Sequence, residues 1–505
     1  MSGLALRRNI HDSVHGLIRL TDEEMAIIDH PLFQRLRSIC QTGLLKLICP
    51  SATHTRFEHS IGVVLMADRM FDALEMASEA VSDKLYAVGS AGPGQAIRFH
   101  EVPDVERDSL RRLLRLSALV HDLGHGPLSH VFEAFAPETI GIAGFLDDPR
   151  LAPLEPCRAE LLKSKTGRVT HEAVSCLMFA VIWHGLGGEP WVSGAVAAVL
   201  LGVVEAAPSS LRPWIPLLHD MISSAPIDAD RMDYLLRDSE RTGVSYGLYE
   251  PDRVLKSILC VRSLEVGCPS YRLGWRKSGL RAIENFVFAR FEMYVQIYHH
   301  KTLRAIELML HAIKREVERA QIAPLVRTDD LAAFLEDFGS LSDESFLGLL
   351  SGRLRPGFPG NERIAAITRQ ILARKLWKRI YDFHEVPPET IAAFQAGLEV
   401  AHPGRVFYVD RQPLKATKDL DRGAYLLDHD RSGCFSRSSA GLSWESASPV
   451  MGVLRRREVE LVRLFMETSG PPSDAPEMTR EVRLTAFRLG HTMGLAAADD
   501  RHDLP

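Results

Sequence analysis

The stretch LVHDLGHGPLSHVFE, residues 119–133, places three histidines and two acids within fifteen positions. It closes an amphipathic pattern over 110–122 that predicts an α-helix, and the glycines and proline that follow predict the end of that helix. Ionisable groups at an apolar helix end are costly to bury unless they have partners. The stretch therefore predicts a site at the helix end, with further partners elsewhere in the chain.

The composition is that of an ordinary globular chain. It has 505 residues, of which 46% are hydrophobic and 25% charged, and a formal net charge of −5. That charge argues against a chain built mainly to bind nucleic acid, although it does not exclude a local basic channel. The seven cysteines include no C-x-x-C pair, which is typical of a reduced, cytoplasmic protein. No signal-peptide pattern is present at the N-terminus, and no membrane-spanning segment is predicted.

Helical periodicity extends over most of the first 320 residues. The predicted helices are 21–43 with a break at Pro31, 56–80, 110–122, 170–186 with Thr170 as N-cap, 191–207 as a buried core helix, 227–244 ended by Gly243, and 281–320 with a bend. Two polar inserts rich in glycine and proline, about 83–108 and 136–168, interrupt this pattern.

The pattern changes near residue 400, where short strand-like runs separated by turn residues begin. We expect a core over 1–320, a helical extension over 321–400, a small α+β subdomain over 401–470, and a linker, short helix and disordered tail over 471–505. Within the third part, 449–468 predicts a helix. The predicted fold is mainly α, with a helical core and a small α+β C-terminal appendage.

His121 and Asp122 are the first candidates for metal ligands. Imidazole and carboxylate together suit a divalent ion such as Mn, Fe, Zn or Mg. Two adjacent residues form an incomplete site, and His59 in RFEHS and Asp230 in IDADRMDYLLRD are the best further candidates. Four such ligands would leave coordination positions for water and a phosphate oxygen. A single histidine or aspartate is more often structural, so the residues alone indicate only a possible hydrolytic metal site.

The H…HD…D pattern of these residues resembles the HD-domain metal-dependent phosphohydrolases. Seven segments, in order within about residues 9–320, resemble those of the deoxynucleoside-triphosphate (dNTP) triphosphohydrolases. They are DSVHGLIRL, HPLFQRLRSICQTG, THTRFEHSIGV, VHDLGHGPLSHVFE, HEAVSCLMF, IDADRMDYLLRDSERTGV and FARFEMYVQIYHHK. The resemblance implies an HD-domain helical core that holds a divalent metal through His59, His121, Asp122 and Asp230.

The resemblance also implies roles for the catalytic groups. His125 and His130 fall on two active-site histidines, of which His130 would protonate the leaving 5′-oxygen, and Glu133 falls on the acid that supports it. His171 falls on a further histidine near the phosphates, and Arg56 on a phosphate-binding arginine. A histidine acid suits a leaving alkoxide that needs a proton.

Substrate contacts follow in the same way. Those implied are Gln41 near the sugar and base, Asp228, Arg231 and Tyr234 at the phosphates and sugar, and Asp238, Arg290 and Tyr298 at the sugar and triphosphate tail. Arginines are suitable clamps for a triphosphate. Arg290, Tyr294 and Tyr298 also share one helix face by their spacing, although tyrosines on a long helix are as often half-buried core residues.

The activity that the resemblance implies is metal-dependent hydrolysis of dNTPs to deoxynucleoside and inorganic triphosphate, for control of dNTP pools or for anti-phage defence. Two alternatives stay open: an HD phosphohydrolase or phosphodiesterase acting on another nucleotide or a nucleic-acid end, and a non-catalytic nucleotide sensor. The family also implies a homo-oligomer (dimer, tetramer or hexamer) and a nucleotide activator. Of the family's regulatory positions, Arg37 is retained and His11 replaces an asparagine.

Overall fold

The structure is a computed structural model of the chain, and its described residues form most of the predicted helices together with three small sheets. It describes residues 4–79, 96–128, 132–133, 135–223, 227–263, 270–322, 325–353, 361–415, 425–427, 448, 450, 458–468 and 475–495. The chain divides into two units by its internal contacts. The first unit comprises Met1–Met293, Ala323–Glu344 and Thr417–Arg456, and the second comprises Tyr294–Ile322, Ser345–Ala416 and Arg457–Pro505. The four-part division in chain order stays a proposal.

The described residues are mainly helical, as predicted. The α-helices are α1 (Asp22–Ile28), α2 (Pro31–Gln34), α3 (Arg56–Glu79), α4 (Asp104–Val120), α5 (Thr139–Ala143), α6 (Arg158–Leu161), α7 (His171–Gly185), α8 (Pro190–Leu201), α9 (Ile215–Ser223), α10 (Ala229–Thr242), α11 (Pro251–Leu255), α12 (Leu280–Met293), α13 (Lys301–Arg319), α14 (Leu331–Ser340), α15 (Asp343–Leu350), α16 (Glu362–Leu372), α17 (Pro388–Ala401) and α18 (Ala475–Thr492). The strands are β1 (Arg8–Asp12), β2 (Gly16–Leu20), β3 (Ile258–Arg262), β4 (Tyr271–Arg276), β5 (Lys378–Phe383), β6 (Phe407–Lys415), β7 (Tyr425–Leu427) and β8 (Glu458–Met466).

Several helix ends follow from local sequence chemistry. Thr21 and Glu24 form a capping box at the start of α1, because each side chain accepts the other residue's backbone N–H, at 3.1 and 2.8 Å. The predicted break at Pro31 separates α1 from α2. Thr170 caps α7, and Gly243, with φ +72°, ends α10. The predicted break at Pro31, the N-cap at Thr170 and the helix end at Gly243 are therefore confirmed.

The helices of the first unit pack so that several of their ends meet at one place. α3 packs against α4 and α10, while α8 packs against α4 and α7. α8 is buried along most of its length, which confirms the core helix predicted within 191–207. Among the described residues, no helix combines the length and apolar character that crossing a membrane requires.

The N-terminal β-hairpin, formed by β1 and β2, lies in a region where the sequence predicted no strands. The two strands pair antiparallel, with Arg8 opposite Leu20. Asp12 stabilises the turn, since its Oδ2 accepts the backbone N–H groups of Val14 and His15 at 2.9 Å each. β3 and β4 form a second antiparallel pair, to which β7 adds in parallel.

The second unit contains a three-stranded antiparallel sheet of order β5-β8-β6. One prediction is wrong in part: Glu458–Met466 form the strand β8 within the segment 449–468, where a helix was expected, although Val450 is helical. Val462, Leu464 and Met466 alternate along β8 and are buried in this unit's core. Strand pairing on both sides therefore outweighs the helical periodicity of the segment.

Two further regions differ from, or refine, the sequence-based expectation. The predicted bend within 281–320 is a π-helical turn, Tyr294–Tyr298, between α12 and α13. The insert 136–168, predicted to be loop-like, contains α5, α6 and a 3₁₀ stretch over Pro149–Cys157. Residues 83–95 of the insert 83–108 and residues 469–474 of the linker predicted at 469–478 lie outside the described residues, as does the end of the tail from residue 496.

Candidate metal centre and its surroundings

His59 lies in the first turn of α3 and is fully buried. Its Nδ1 lies 2.7 Å from Asp233 Oδ2, so with the N–H on Nδ1 the imidazole donates to that carboxylate. Its Nε2 then carries a lone pair, and it lies 3.0 Å from Asp230 Oδ1 and 3.5 Å from Asp122 Oδ2. Asp233 thus orients the ring, and the free edge of the ring faces the other carboxylates.

His121 and Asp122 follow directly after the last residue of α4. The Nδ1 atom of His121 lies 2.8 Å from the carbonyl oxygen of Ala118, to which it donates, and its Nε2 lies 3.9 Å from Asp230 Oδ1. The rings of His59 and His121 meet edge to face with centroids 5.2 Å apart. The C-terminal end of α4 therefore places both side chains beside α3 and α10. This agrees with the position of the pair in the sequence, where it directly follows a predicted helix.

The side chains present here fit a divalent ion. The Nε2 atoms of His59 and His121 are buried, and among the described residues neither has a partner in hydrogen-bond geometry. Ligand atoms of these two histidines and Asp122 lie within 4.8 Å of one another. Buried imidazole nitrogens without partners beside carboxylates form a donor set that Mn, Fe or Zn accepts, and Mg less readily. We refer to His59, His121, Asp122 and Asp230 as the candidate metal centre.

The charges around the candidate metal centre favour a cation there. Burial alone lowers the pKa of His59, but the carboxylates of Asp230, Asp233 and Asp122 raise it to about 10. Burial raises the pKa of Asp122, but the charges of Arg56 and of its histidine neighbours hold it well below its usual value. The same carboxylates that favour a proton on the imidazole also favour a divalent ion.

Arg56 begins α3 and is buried beside the candidate metal centre, where its guanidinium donates to Asp122 Oδ2. Its backbone N–H donates to the carbonyl oxygen of Ile39 at 2.9 Å, which ties the start of α3 to the segment before it. A permanent cation at this place can bind a phosphate oxygen that approaches the centre.

His125 and His171 stack with ring centroids 3.8 Å apart and an angle of 21° between their planes. His125 Nε2 lies 3.2 Å from Asp122 Oδ1, and His171 Nδ1 lies 2.9 Å from Glu133 Oε1. Burial and the charges of Arg56 and His171 lower the pKa of His125 well below its usual value. Burial also lowers the pKa of His171, but contacts with acids, Glu133 foremost, raise it overall. His171 is thus the member of the pair that better holds a proton.

His130, the predicted acid for the leaving group, lies outside the described residues. Glu133 was predicted to support His130, and its Oε1 also lies 2.9 Å from His171 Nδ1. The structure therefore offers a histidine–carboxylate pair at a position that the sequence analysis did not connect.

The turn that carries the histidines, residues 121–128, is held from α7, and we call it the HD turn. Ser175 Oγ donates to the carbonyl oxygen of His121 at 2.9 Å and accepts the N–H of Gly124 at 2.8 Å. A Cβ atom on Gly124 would lie 2.2 Å from the carbonyl oxygen of His171. Glycine is thus required where the HD turn meets the first turn of α7.

A second support of the HD turn comes from distant parts of the first unit. Arg35 donates to the carbonyl oxygens of Leu123 and His125, at 2.7 and 2.8 Å. Asp343 is fully buried, and its carboxylate accepts the N–H of Leu128 at 2.7 Å. Leu128 has φ +58°, a left-handed conformation that is strained for a leucine. Neither Arg35 nor Asp343 was singled out from the sequence, because both act on backbone groups far along the chain.

Asp233, which holds His59, is itself held from two sides. Arg237 donates to both of its carboxylate oxygens at 2.9 Å, and His15 Nε2 lies 2.6 Å from Oδ1. These contacts hold the pKa of Asp233 well below its usual value, against the effect of burial. The i, i+4 spacing of Asp233 and Arg237 on α10 was a signal for this pair, but it does not distinguish a buried pair from a surface one.

The predicted substrate contacts on α10 lie at its start and along its buried face. Asp228 caps α10 by accepting the N–H of Arg231 at 2.8 Å, and burial raises its pKa to about 7 although the Arg231 and Arg290 charges lower it. Asp238 is buried and pairs with His54 Nε2 at 2.7 Å, a partner that the sequence analysis missed.

The remaining predicted contacts lie in four places. Gln41 is half-buried, and its backbone N–H donates to the carbonyl oxygen of His54 at 3.0 Å. Arg290 is half-buried on α12. Tyr234 is half-buried on α10. Tyr294 and Tyr298 belong to the second unit, where their rings meet edge to face in the π-helical turn with centroids 5.1 Å apart. The role of each as a substrate contact stays a prediction.

Comparison with known proteins supports the resemblance seen in the sequence. No family model matches the chain. An uncharacterised protein of Methanocaldococcus jannaschii is 32% identical over 326 residues, which cover 64% of this chain but only 53% of that protein. A putative HD domain-containing protein of Acanthamoeba polyphaga mimivirus is 26% identical, over 74% of this chain and 73% of that protein. The deoxynucleoside triphosphate triphosphohydrolase SAMHD1 homolog of Dictyostelium discoideum is 26% identical, over 73% of this chain and 59% of that protein.

Solved structures show the same fold. A hypothetical protein from Aquifex aeolicus superposes with a TM-score of 0.62, covering 95% of this chain and 99% of that chain at 22% identity. A phosphohydrolase from Bacteroides thetaiotaomicron superposes with a TM-score of 0.60, covering 91% and 100% at 22% identity. The relatives of the chain thus include HD-domain proteins and dNTP triphosphohydrolases.

Proposed function

We propose that this chain, whose homologues include HD-domain proteins and dNTP triphosphohydrolases, hydrolyses dNTPs to deoxynucleoside and inorganic triphosphate in a metal-dependent reaction. The observation that carries the proposal is the candidate metal centre, in which two buried imidazole nitrogens without hydrogen-bond partners among the described residues face Asp122 and Asp230. A site of this kind beside a buried arginine and two stacked histidines suits hydrolysis of a phosphate ester.

The metal has a defined part in this proposal. His59, His121, Asp122 and Asp230 would hold one divalent ion, for which Mn, Fe, Mg and Zn are the candidates. When bound, such an ion supplies Lewis-acid polarisation of a phosphoryl oxygen and lowers the pKa of an attacking water. All further steps rest on side chains of the chain.

The arginine and the histidines near the candidate metal centre would each have a separate role in binding or cleaving the triphosphate. Arg56 binds an oxygen of the α-phosphate, because it is a buried cation at the edge of the candidate metal centre. His125 stays neutral, as its lowered pKa favours, and donates its single ring N–H to a phosphate oxygen. His171, paired with Glu133, holds a proton near the phosphates. His130 stays our proposal for the acid that protonates the 5′-oxygen.

Substrate selection would depend on further side chains, which the resemblance to the dNTP triphosphohydrolases suggests. We propose Gln41 for the sugar and base, and Asp228, Arg231, Tyr234 and Asp238 for the sugar and phosphates. Arg290, Tyr294 and Tyr298 are proposed for the triphosphate tail. Two arginines support this assignment. Arg231 lies at the start of α10, and the charge of Arg290 lowers the pKa of the buried Asp228.

A matrix of metals and nucleotides tests the proposal. Each of Mn²⁺, Fe²⁺, Mg²⁺ and Zn²⁺ is combined with the four dNTPs, the four ribonucleotides, cyclic nucleotides and DNA ends. We expect wild type to hydrolyse one or more dNTPs, and we expect the Asp122→Ala variant to hydrolyse none of them. Turnover confined to cyclic nucleotides or DNA ends would favour a different HD phosphohydrolase, and nucleotide binding without any turnover would favour a sensor.

Regulation by a nucleotide is a further part of the proposal, and its support is a cavity in the second unit. A cavity of about 240 Å³ is lined by basic and aromatic side chains. They include Lys301, Arg374, Trp377, Lys378, Arg379 and Arg483. We propose that a nucleotide activator binds its phosphates here and that the chain forms a homo-oligomer. Light scattering with and without a dNTP mixture tests this, and an unchanged monomer in both would contradict it.

The proposed biological role is control of dNTP pools or defence against phage in the cytoplasm. Both roles use the same reaction. Plaque formation and dNTP levels in cells that express the wild-type chain or the Asp122→Ala variant would distinguish them, since defence requires fewer plaques with the active chain.

A further inference from the structure

The N-terminal β-hairpin is linked to the candidate metal ligand His59 by two hydrogen bonds, with Asp233 between them. His15, in the hairpin turn, places its Nε2 2.6 Å from Asp233 Oδ1, and Asp233 Oδ2 accepts from His59 Nδ1 at 2.7 Å. The side chains of all three residues are almost completely buried. The DSVHGLIRL segment, one of the seven that resemble known phosphohydrolases, therefore reaches the candidate metal centre although it supplies no ligand.

The hairpin turn is built to deliver His15 to this place. Asp12 Oδ2 accepts the backbone N–H groups of Val14 and His15, and Asp12 Oδ1 accepts from Arg237 at 2.7 Å. Arg237 in turn binds Asp233. The turn is thus fastened to α10 by two routes, one through His15 and one through Asp12, and both end on the carboxylate of Asp233.

We propose that His15 is a positioning residue that sets the affinity of the candidate metal centre for a divalent ion by holding Asp233 against His59. The inference rests on the metal site of the proposed function, and it is independent of which substrate is cleaved. His15 donates one of the hydrogen bonds that fix the plane of the Asp233 carboxylate, and that plane directs the N–H of His59. Without this bond the ring of His59 loses part of its orientation, and its Nε2 no longer points constantly at the ion.

The packing around Asp233 explains why His15 has this influence. Gly62 of α3 faces the carboxylate, and a Cβ atom at this position would lie 2.0 Å from Asp233 Oδ1. The carboxylate is therefore enclosed by α3 on one side and by Arg237 and His15 on the others. Removal of His15 opens one side of this enclosure, whereas the contacts of Arg237 on α10 persist.

The test is a titration of the metal-free protein with Mn²⁺, followed by the electron paramagnetic resonance signal of the free ion. Wild type is compared with His15→Ala, His15→Phe, His15→Gln and His11→Ala. Phenylalanine fills the space of the imidazole without a donor, whereas glutamine keeps an N–H that can reach Asp233. His11 is an exposed residue of the same hairpin and serves as the matched control.

We expect the dissociation constant for Mn²⁺ to rise by about 10-fold in His15→Ala and His15→Phe. This is the lower end of the range for loss of a metal ligand's own hydrogen-bond partner, because His15 acts on His59 through Asp233. His15→Gln should recover part of the loss, and His11→Ala should bind as wild type does. Circular dichroism shows which variants are folded, and His15→Phe carries the test if His15→Ala does not fold. Folded His15→Phe with an affinity within twofold of wild type would overturn the inference.

The outcome is separable from that of the proposed function. If wild type binds Mn²⁺ and the His15 variants bind it weakly, the inference stands even when no dNTP is hydrolysed. If dNTPs are hydrolysed but the His15 variants bind Mn²⁺ as wild type does, the inference fails and the proposed function stands.

Discussion

The carboxylate of Asp343 accepts the backbone N–H of Leu128 at 2.7 Å, across 215 residues of chain. Its second oxygen accepts the N–H of Cys40 at 2.9 Å. Asp343 thus joins the HD turn, which carries His121, Asp122 and His125, to the segment that carries Gln41. It also holds Leu128 in a left-handed conformation that a leucine adopts only when its surroundings compensate.

We predict that Asp343→Ala destabilises the chain and lowers its activity. Each of the two buried N–H groups left without an acceptor costs roughly 1–3 kcal/mol, so the free energy of unfolding should fall by about 2–6 kcal/mol. Asp343→Asn should cost less, because its amide oxygen still accepts one of the two bonds. Urea denaturation measures both.

The neighbouring residue supplies the control for Asp343. Glu344 is exposed and forms an ion pair with Lys46 at 2.9 Å, which is a surface interaction of small energy. Glu344→Gln should therefore leave the free energy of unfolding within about 0.5 kcal/mol of wild type. A loss in Asp343→Ala no larger than that of Glu344→Gln would show that the two backbone bonds contribute little.

Gly124→Ala should disrupt the HD turn. Its Cβ would lie 2.2 Å from the carbonyl oxygen of His171 and 2.4 Å from the N atom of Ser175, both backbone atoms of α7. The start of α7 would have to move, and the stacked pair of His125 and His171 would move with it. We expect a loss of about 1–3 kcal/mol in stability, as for other overpacked sites, and a lower turnover rate.

Gly185, at the other end of α7, is the matched control for Gly124. A Cβ atom there would meet no atom within 4 Å. Gly185→Ala should leave stability unchanged or raise it slightly, because alanine restricts the unfolded chain more than glycine does. Thermal denaturation of the two variants compares them directly, and equal melting temperatures would contradict the predicted clash.

A divalent ion should stabilise the folded chain, because its ligands are brought together only by folding. At a free ion concentration of one hundred times the dissociation constant, binding adds about 2.7 kcal/mol. Addition of a chelator should therefore lower the melting temperature of wild type, and Asp122→Ala should abolish this effect. Asp147→Ala, an exposed acid outside the candidate metal centre, should keep it. A chelator effect retained in Asp122→Ala would place the ion elsewhere.

His171→Ala should lower the turnover rate by roughly 10²–10⁴-fold, the usual contribution of a positioned acid or base. His171 stacks on His125 and pairs with Glu133, so its loss removes the group of the pair that better holds a proton. His184→Ala removes an exposed histidine from the opposite end of the same helix and should have no effect on turnover. Steady-state kinetics on a dNTP that wild type hydrolyses measures both variants, and equal rates would exclude a role for His171.

Much of the helical framework could be predicted from the sequence, because its signals are local. Thr170 lies directly before α7, and Gly243 directly after α10, so short-range hydrogen bonding determines these helix ends. The segment of β8 carries similar helical periodicity but forms a strand, since its pairing with β5 and β6 is decided by residues far along the chain.

The candidate metal centre, too, could be predicted only in part: its ligands follow from the sequence, but the residues that support them do not. His59, His121, Asp122 and Asp230 are the predicted ligands, and the structure brings these side chains close together, while their binding of an ion stays a prediction. The groups that hold them could not be predicted from the sequence. His15, Arg35 and Asp343 each act through one or two hydrogen bonds to residues more than 85 positions away, and such contacts leave no periodic pattern in a sequence.

The most direct test of the account is the identity of the phosphate product. Wild type and Asp122→Ala are incubated with Mn²⁺ and one dNTP that wild type consumes, and ³¹P nuclear magnetic resonance follows the reaction. If the proposed reaction is correct, wild type produces one inorganic triphosphate and one deoxynucleoside for each dNTP that it consumes, and Asp122→Ala produces neither compound. Release of pyrophosphate or orthophosphate as the first product, or equal turnover by the variant, would contradict it.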